Sequence, residues 1–375
     1  MFKGGNKLTV KGMWIKNRNT NQENSGMRRT FIILLCLGLS SMTLFAQDDA
    51  NFNLFPWASL YYNPGTAGEQ MNTFCFTAIY KEGNLGLYEN QYPEGGTDSY
   101  GEAIVGTSLG SRDFLINAEF YSRKIRGAIG LSFISDKIFN ENNIGIRLGY
   151  TYRMKLFGGS LGIGFQVGLL NKSIDEEKYN PNQEGDPLID ILGNANPDMN
   201  LDFNFGIAYK SPKWDIGASI VQMLGDDATI VLSGENEMKS YRQLHLHGGY
   251  NFTLPNAPSW TIEPKAMLRT NLRTITFDVA LLTRWNGIVW GGLGYRLDES
   301  VNLLFGATPF YNSSNIYMKG LEMGFCYSFK TTKYANTSRG SWGDIEIMVR
   351  YCFDLYKQET SSGYGSSRNI YKNEY

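Results

Sequence analysis

The chain's only two imidazoles, His245 and His247, lie two residues apart in a stretch with the pattern of a strand. Residues i and i+2 of a strand point the same way, so both rings share one face. Two rings at this spacing begin a metal site, but a tetrahedral metal takes further Cys, His, Asp or Glu, and no inward cluster of these accompanies the pair. Asp278 would complete a His/Asp arrangement of hydrolytic type, yet neither a nucleophile nor a set of oxyanion donors comes with it. Gly158-Gly159 and Gly291-Gly292 open no helix, so they are not phosphate loops. Asp186-Pro187 and Asp226-Asp227 carry the oxygen donors that Ca²⁺ takes, and read as solvated loop carboxylates. No catalytic, cofactor-binding or metal residue is therefore assigned, and the chain is expected not to be an enzyme.

The elements that position these residues are strands. In Ile345–Phe353, Ile345, Ile347, Val349, Tyr351 and Phe353 fall on one face and Glu346, Met348, Arg350 and Cys352 on the other. Charges do not face lipid, so the second face looks inward, as a membrane β-barrel requires. Leu161, Ile163, Phe165, Val167 and Leu169 alternate with Gly162, Gly164, Gln166 and Gly168, and Ile144–Arg153, Phe203–Tyr209 and Leu321–Phe329 repeat the pattern. A soluble sandwich would alternate too, but with a charged outer face and a bulky inner one. Here the non-apolar face is rich in Gly and isolated charges, which favours a barrel with a crowded or wet polar interior.

Composition agrees. There are 42 Gly, 23 Tyr and 22 Phe in 375 residues, and the net charge of −1 points to no nucleic-acid partner. Residues 71–355 are expected to form a transmembrane antiparallel barrel of about 14 strands. Long connections at 81–112, 172–200, 224–240 and 331–341 fall on the outer side and short turns such as Ser211-Pro212 on the periplasmic side.

Ahead of the barrel, Met27-Arg28-Arg29, the apolar run Phe31–Leu39 and Leu44-Phe45-Ala46 make a signal peptide over residues 1–46. Met27 is the expected true start, and cleavage is expected after Ala46. Cys36 follows Leu35, not a small residue, so no lipoprotein site is expected. Residues 47–70 then read as a periplasmic N-terminal segment and 356–375 as a flexible periplasmic tail. The mature cysteines are Cys75, Cys326 and Cys352. Cys326 and Cys352 take inward-type positions on the last two strands, where an oxidising compartment would allow a disulfide, but sequence does not fix their register, and a bond between these two is not expected.

Phe55–Gly68 contains Asn63-Pro64-Gly65-Thr66-Ala67-Gly68, which read alone is a tight turn before the first strand. It resembles the "NPAYAG" segment of the PorP/SprF family, outer-membrane proteins of type IX secretion and gliding motility in Bacteroidota. Arg126–Ile138, the Asn142-Asn143 turn and Leu148–Arg153 resemble the family's next motifs, and Ile345–Phe353 its terminal strand. The likeness spans residues 55–355. Gly65-Thr66 stand where the family has Ala-Tyr, Phe139 where it has Gly, and 82–111 looks like an insertion. The resemblance implies a non-enzymatic outer-membrane component that helps secrete or retain an adhesin-like cargo, with type IX machinery, cargo and outer-membrane lipid as partners. The alternative is a passive porin or small hydrophobic-solute transporter.

Overall fold

The structure is a computed structural model that describes residues 50–70, 73–86, 88–89, 107–108, 110–138, 141–174, 198–225, 230–233, 241–313, 318–331 and 341–354. Residues 1–46, the tail 356–375, Asp186-Pro187, Asp226-Asp227 and most of the long connections lie outside them.

Among the described residues the fold is a closed antiparallel barrel of 14 strands. They are β1 (Thr73–Glu82), β2 (Arg112–Ser122), β3 (Gly127–Ile138), β4 (Glu141–Leu156), β5 (Gly159–Ile174), β6 (Asp198–Lys210), β7 (Trp214–Val221), β8 (Gln243–Tyr250), β9 (Ala257–Thr270), β10 (Ile275–Trp285), β11 (Val289–Arg296), β12 (Ser300–Ala307), β13 (Leu321–Lys330) and β14 (Asp344–Asp354). Each pairs with its sequence neighbours, and β1 closes on β14 from Thr73↔Asp354 to Glu82↔Ile345. Beyond the end of β7, Ile230–Ser233 takes over as partner of β6.

Side-chain facing follows the period-two rule along β14. Asp344, Glu346 and Met348 are at most 1 % exposed, whereas Ile347 is 49 % and Val349 39 % exposed. Leu148, Ile216, Leu293 and Phe305 stand on the same outer surface, and Tyr152, Trp214, Trp260 and Trp285 ring it near one end, as a lipid-facing band with an aromatic girdle should. No helix among the described residues is long and apolar enough to cross a membrane.

Two strands end near proline. The β8–β9 ladder lapses between Gly249↔Lys265 and Phe252↔Ile262, where Pro264 offers no N–H, so Phe252–Leu254 pairs as a separate piece. β12 ends at Ala307, two residues before Pro309.

Cys326 and Cys352 are not bonded to each other, as expected, but Cys352 has another partner. The disulfide is Cys75–Cys352, across the closing seam, and Cys326 is free and buried. Cys75 lies directly opposite Cys352 in the register of β1 and β14, while Cys326 lies opposite Glu346, six residues from Cys352 along β14.

The segment expected to be free in the periplasm is inside the barrel. Residues 50–68, including a single helical turn α1 (Ser59–Tyr62) and a 3₁₀ turn Pro64–Thr66, are packed into the lumen. Phe52, Leu54 and Ala58 are 0 % exposed.

Candidate functional site: a lumen filled by the chain's own N-terminal segment

The first part of this plug is held by carboxylate and guanidinium groups from the strands around β14. Glu346 accepts hydrogen bonds from the backbone N–H groups of Asn53 (2.6 Å) and Leu54 (2.8 Å). Arg296 donates to the Phe52 carbonyl at 3.1 Å and Lys81 to the Asn51 carbonyl at 2.6 Å. The Asn53 side chain donates to Ser328 and accepts from Asn302. Every bond pairs a lumenal side chain with a peptide or amide group that would otherwise be buried without a partner, at about 1–3 kcal/mol each.

The middle of the plug is apolar and aromatic. Trp57 stacks on Trp290 of β11 with ring centroids 4.4 Å apart. Phe52, Leu54, Trp57, Tyr61 and Tyr62 share one buried cluster with Ile79, Leu115, Met267, Leu282, Leu304 and Met348 of the wall. Inward Met348 is therefore core, not the wall of a wet channel.

The last part lies on backbone. Asn63-Pro64-Gly65 runs so close to β5 and β6 that a Cβ built at Gly164 would fall 2.4 Å from the Pro64 carbonyl, and one at Gly206 2.0 Å from Asn63 Oδ1. The Asn63 side chain accepts from Gly65 N–H and donates to the Ile207 carbonyl. Thr151 donates to the Pro64 carbonyl (2.6 Å), and Arg153 to those of Gly65 (3.0 Å), Thr66 (2.8 Å) and Ala67 (2.6 Å). Gly68 N–H then donates to Glu119. Contacts thus come from strands all round the wall, on β1, β2, β4–β6, β8 and β11–β14.

The residues singled out for chemistry are part of this scaffold. His245 places Nδ1 2.9 Å from the Tyr62 carbonyl oxygen and Nε2 3.1 Å from Gln243 Oε1, so its ring anchors the plug. His247 packs over Gly217 beside the Asn63 amide. Asp278 is taken by two guanidinium groups, Arg296 at 2.5 Å and Arg269 at 2.9 Å. Gly158, with φ +75°, lies in the β4–β5 turn and Gly159 is the first residue of β5, while Gly291-Gly292 lie within β11. No group of three or more His, Cys, Asp or Glu able to hold a metal occurs among the described residues. Sequence reasoning missed Arg153, Thr151, Glu346, Arg296 and Ser219 as plug ligands. Their inward facing was legible, but the occupant they face was not.

At one rim, in the β11–β12 turn, Glu299 sits 3.2 Å from Lys330 and 3.4 Å from Arg296. Burial alone would raise its pKa, but Arg296, Lys330 and Lys81 outweigh it and hold the carboxyl at about 2, against an ordinary 4.5.

A family model described as "Type IX secretion system membrane protein PorP/SprF" matches residues 44–351, plug and barrel together. The chain belongs to the PorP/SprF family. It is a membrane component of the type IX secretion system, seated in the outer membrane and associated with that machinery. No curated protein matches the chain. Among solved structures, the *Pseudomonas putida* toluene transporter TodX is similar at 10 % identity and TM-score 0.45, covering 84 % of this chain and 95 % of TodX. *Acinetobacter baumannii* Omp33 is similar at 6 % identity and TM-score 0.38, over 76 % of this chain and all of Omp33. The *Escherichia coli* outer membrane phospholipase A is similar at 11 % identity and TM-score 0.31, over 75 % and 93 % of the two chains. At these TM-scores none of the three bears on what this PorP/SprF protein binds.

Proposed function

We propose that this protein is a non-enzymatic component of type IX secretion that helps secrete or retain a partner protein at the cell surface, an adhesin-like cargo such as one used in gliding. The observation that supports this most is the filled lumen. A wall whose interior is occupied by its own chain, with Arg153, Thr151, Glu346, Arg296, Lys81 and His245 bonded to that chain, leaves its two ends as the surfaces for exchange. At one end are the connections 81–112 and 172–200, whose Tyr and acidic residues suit the rim of a protein interface. The other end, with the tail 356–375, faces the machinery below the membrane.

Deleting the gene tests the reading. One or a few surface proteins should be lost to the medium or the periplasm, with small-solute uptake nearly unchanged. Altered uptake with an intact surface proteome would replace this reading with the porin or hydrophobic-solute transporter.

A further inference from the structure

The two ends of the plug lie at opposite ends of the barrel. Asn51 is bonded to Lys81, next to the last residue of β1, and Ala50 and Asn51 sit among Val221, Gln243 and Arg269, where β7 ends, β8 begins and β9 is one residue from its end. At the far end, Gly68 bonds Glu119, three residues before the end of β2, Glu69 lies 3.8 Å from Lys210, the last residue of β6, and Gln70 meets Cys75 near the start of β1. The first end carries the connections 83–111, 175–197, 222–242 and 331–343. The second carries the tight turns 123–126, 157–158, 211–213 and 286–288. Short turns are periplasmic and long loops extracellular in such barrels. The chain therefore threads the lumen from the outer end at Ala50 to the periplasmic end at Gln70, and does not enter and return by one mouth.

We propose that the plug presents its N-terminal end, at Ala50, to the cell surface and its C-terminal end, at Gln70, to the periplasm. The inference is independent of which partner protein the barrel serves.

The test labels cysteines in whole cells with a membrane-impermeant maleimide. A short Gly/Ser linker carrying one cysteine is inserted between Ala46 and Gln47. Leu272→Cys, in the exposed β9–β10 turn, reports the outer end, and Lys124→Cys, in the exposed β2–β3 turn, reports the periplasmic end. Cys75 and Cys352 are bonded and Cys326 is buried, so the native background is low. Heat-modifiable migration identifies assembled barrel, and Asp49→Cys replaces the insertion if the latter does not assemble. The expected result is labelling of the N-terminal cysteine in intact cells together with Leu272→Cys, and of Lys124→Cys only after the outer membrane is permeabilised. Labelling of the N-terminal cysteine only together with Lys124→Cys, or in neither state, overturns the proposal, as does labelling of Leu272→Cys only after permeabilisation.

Discussion

Arg153→Met should loosen the plug without opening the wall. Arg153 is 5 % exposed and its guanidinium donates to three consecutive plug carbonyls, Gly65, Thr66 and Ala67, and to Ser160 of β5. Methionine keeps much of the apolar stem and removes every donor. Each carbonyl left buried without a partner costs about 1–3 kcal/mol; Thr66 keeps the Glu69 N–H at 3.2 Å, so Gly65 and Ala67 together give at least about 2 kcal/mol against the docked state. That is roughly a thirtyfold shift in the ratio of docked to undocked chain at this end of the plug, at about 1.4 kcal/mol per tenfold. The strands themselves lose only the Ser160 contact, so the variant should still show heat-modifiable migration. Planar-bilayer recording is the assay, with wild type closed, Arg153→Met showing intermittent conductance, and a variant lacking residues 50–68 conducting steadily. If the deletion assembles and stays closed, the segment does not occlude the lumen. If the deletion conducts but Arg153→Met matches wild type, the three bonds are worth far less than their geometry implies.

Two further outcomes follow from the seam and the rim. Because Cys75–Cys352 joins residues 277 apart, it removes about 5.6 kcal/mol of loop-closure entropy from the unfolded chain, so heat-denatured protein should run faster without reductant than with it; Cys75→Ser should abolish the difference and Cys326→Ser should not. Glu299 is held at about 2 against an ordinary 4.5, so its contribution to stability is complete above about pH 4.5 and is lost as pH falls toward 2; thermal melts across that window should decline more steeply in wild type than in Glu299→Gln.

The wall was legible because a barrel writes two environments into alternate residues of each strand. Lipid excludes charge from one face, so Ile347 and Val349 outside and Glu346 inside could be assigned from spacing alone. Strand ends were less legible where a proline removed a donor, as Pro264 does opposite Tyr250, because the local pattern of apolar residues runs on past the break. The disulfide was not legible at all. Pairing Cys75 with Cys352 depends on which residues of the first and last strands come level when the sheet closes, a property of the whole ring that no single strand carries.

The plug was missed for a different reason. Residues 50–68 have neither a period of two nor one of 3.6, since a chain that runs irregularly through a lumen meets wall on every side and has no single buried face. The Asn-Pro-Gly stretch therefore read only as a tight turn before the first strand. Yet its imprint was present in the strands. Inward glycine such as Gly164 and Gly206 is wasteful in an open channel, where any small polar residue would serve and Gly weakens a strand. It is required where another backbone must approach to within a Cβ's own radius, as Pro64 and Asn63 do. The inward Arg153 and Glu346 make the same point chemically, for each spends its strongest hydrogen bonds on peptide groups of the plug. A strand whose inner face combines bare glycine with buried charge is shaped to receive a peptide backbone, and the glycine excess that identified the barrel also specified what fills it.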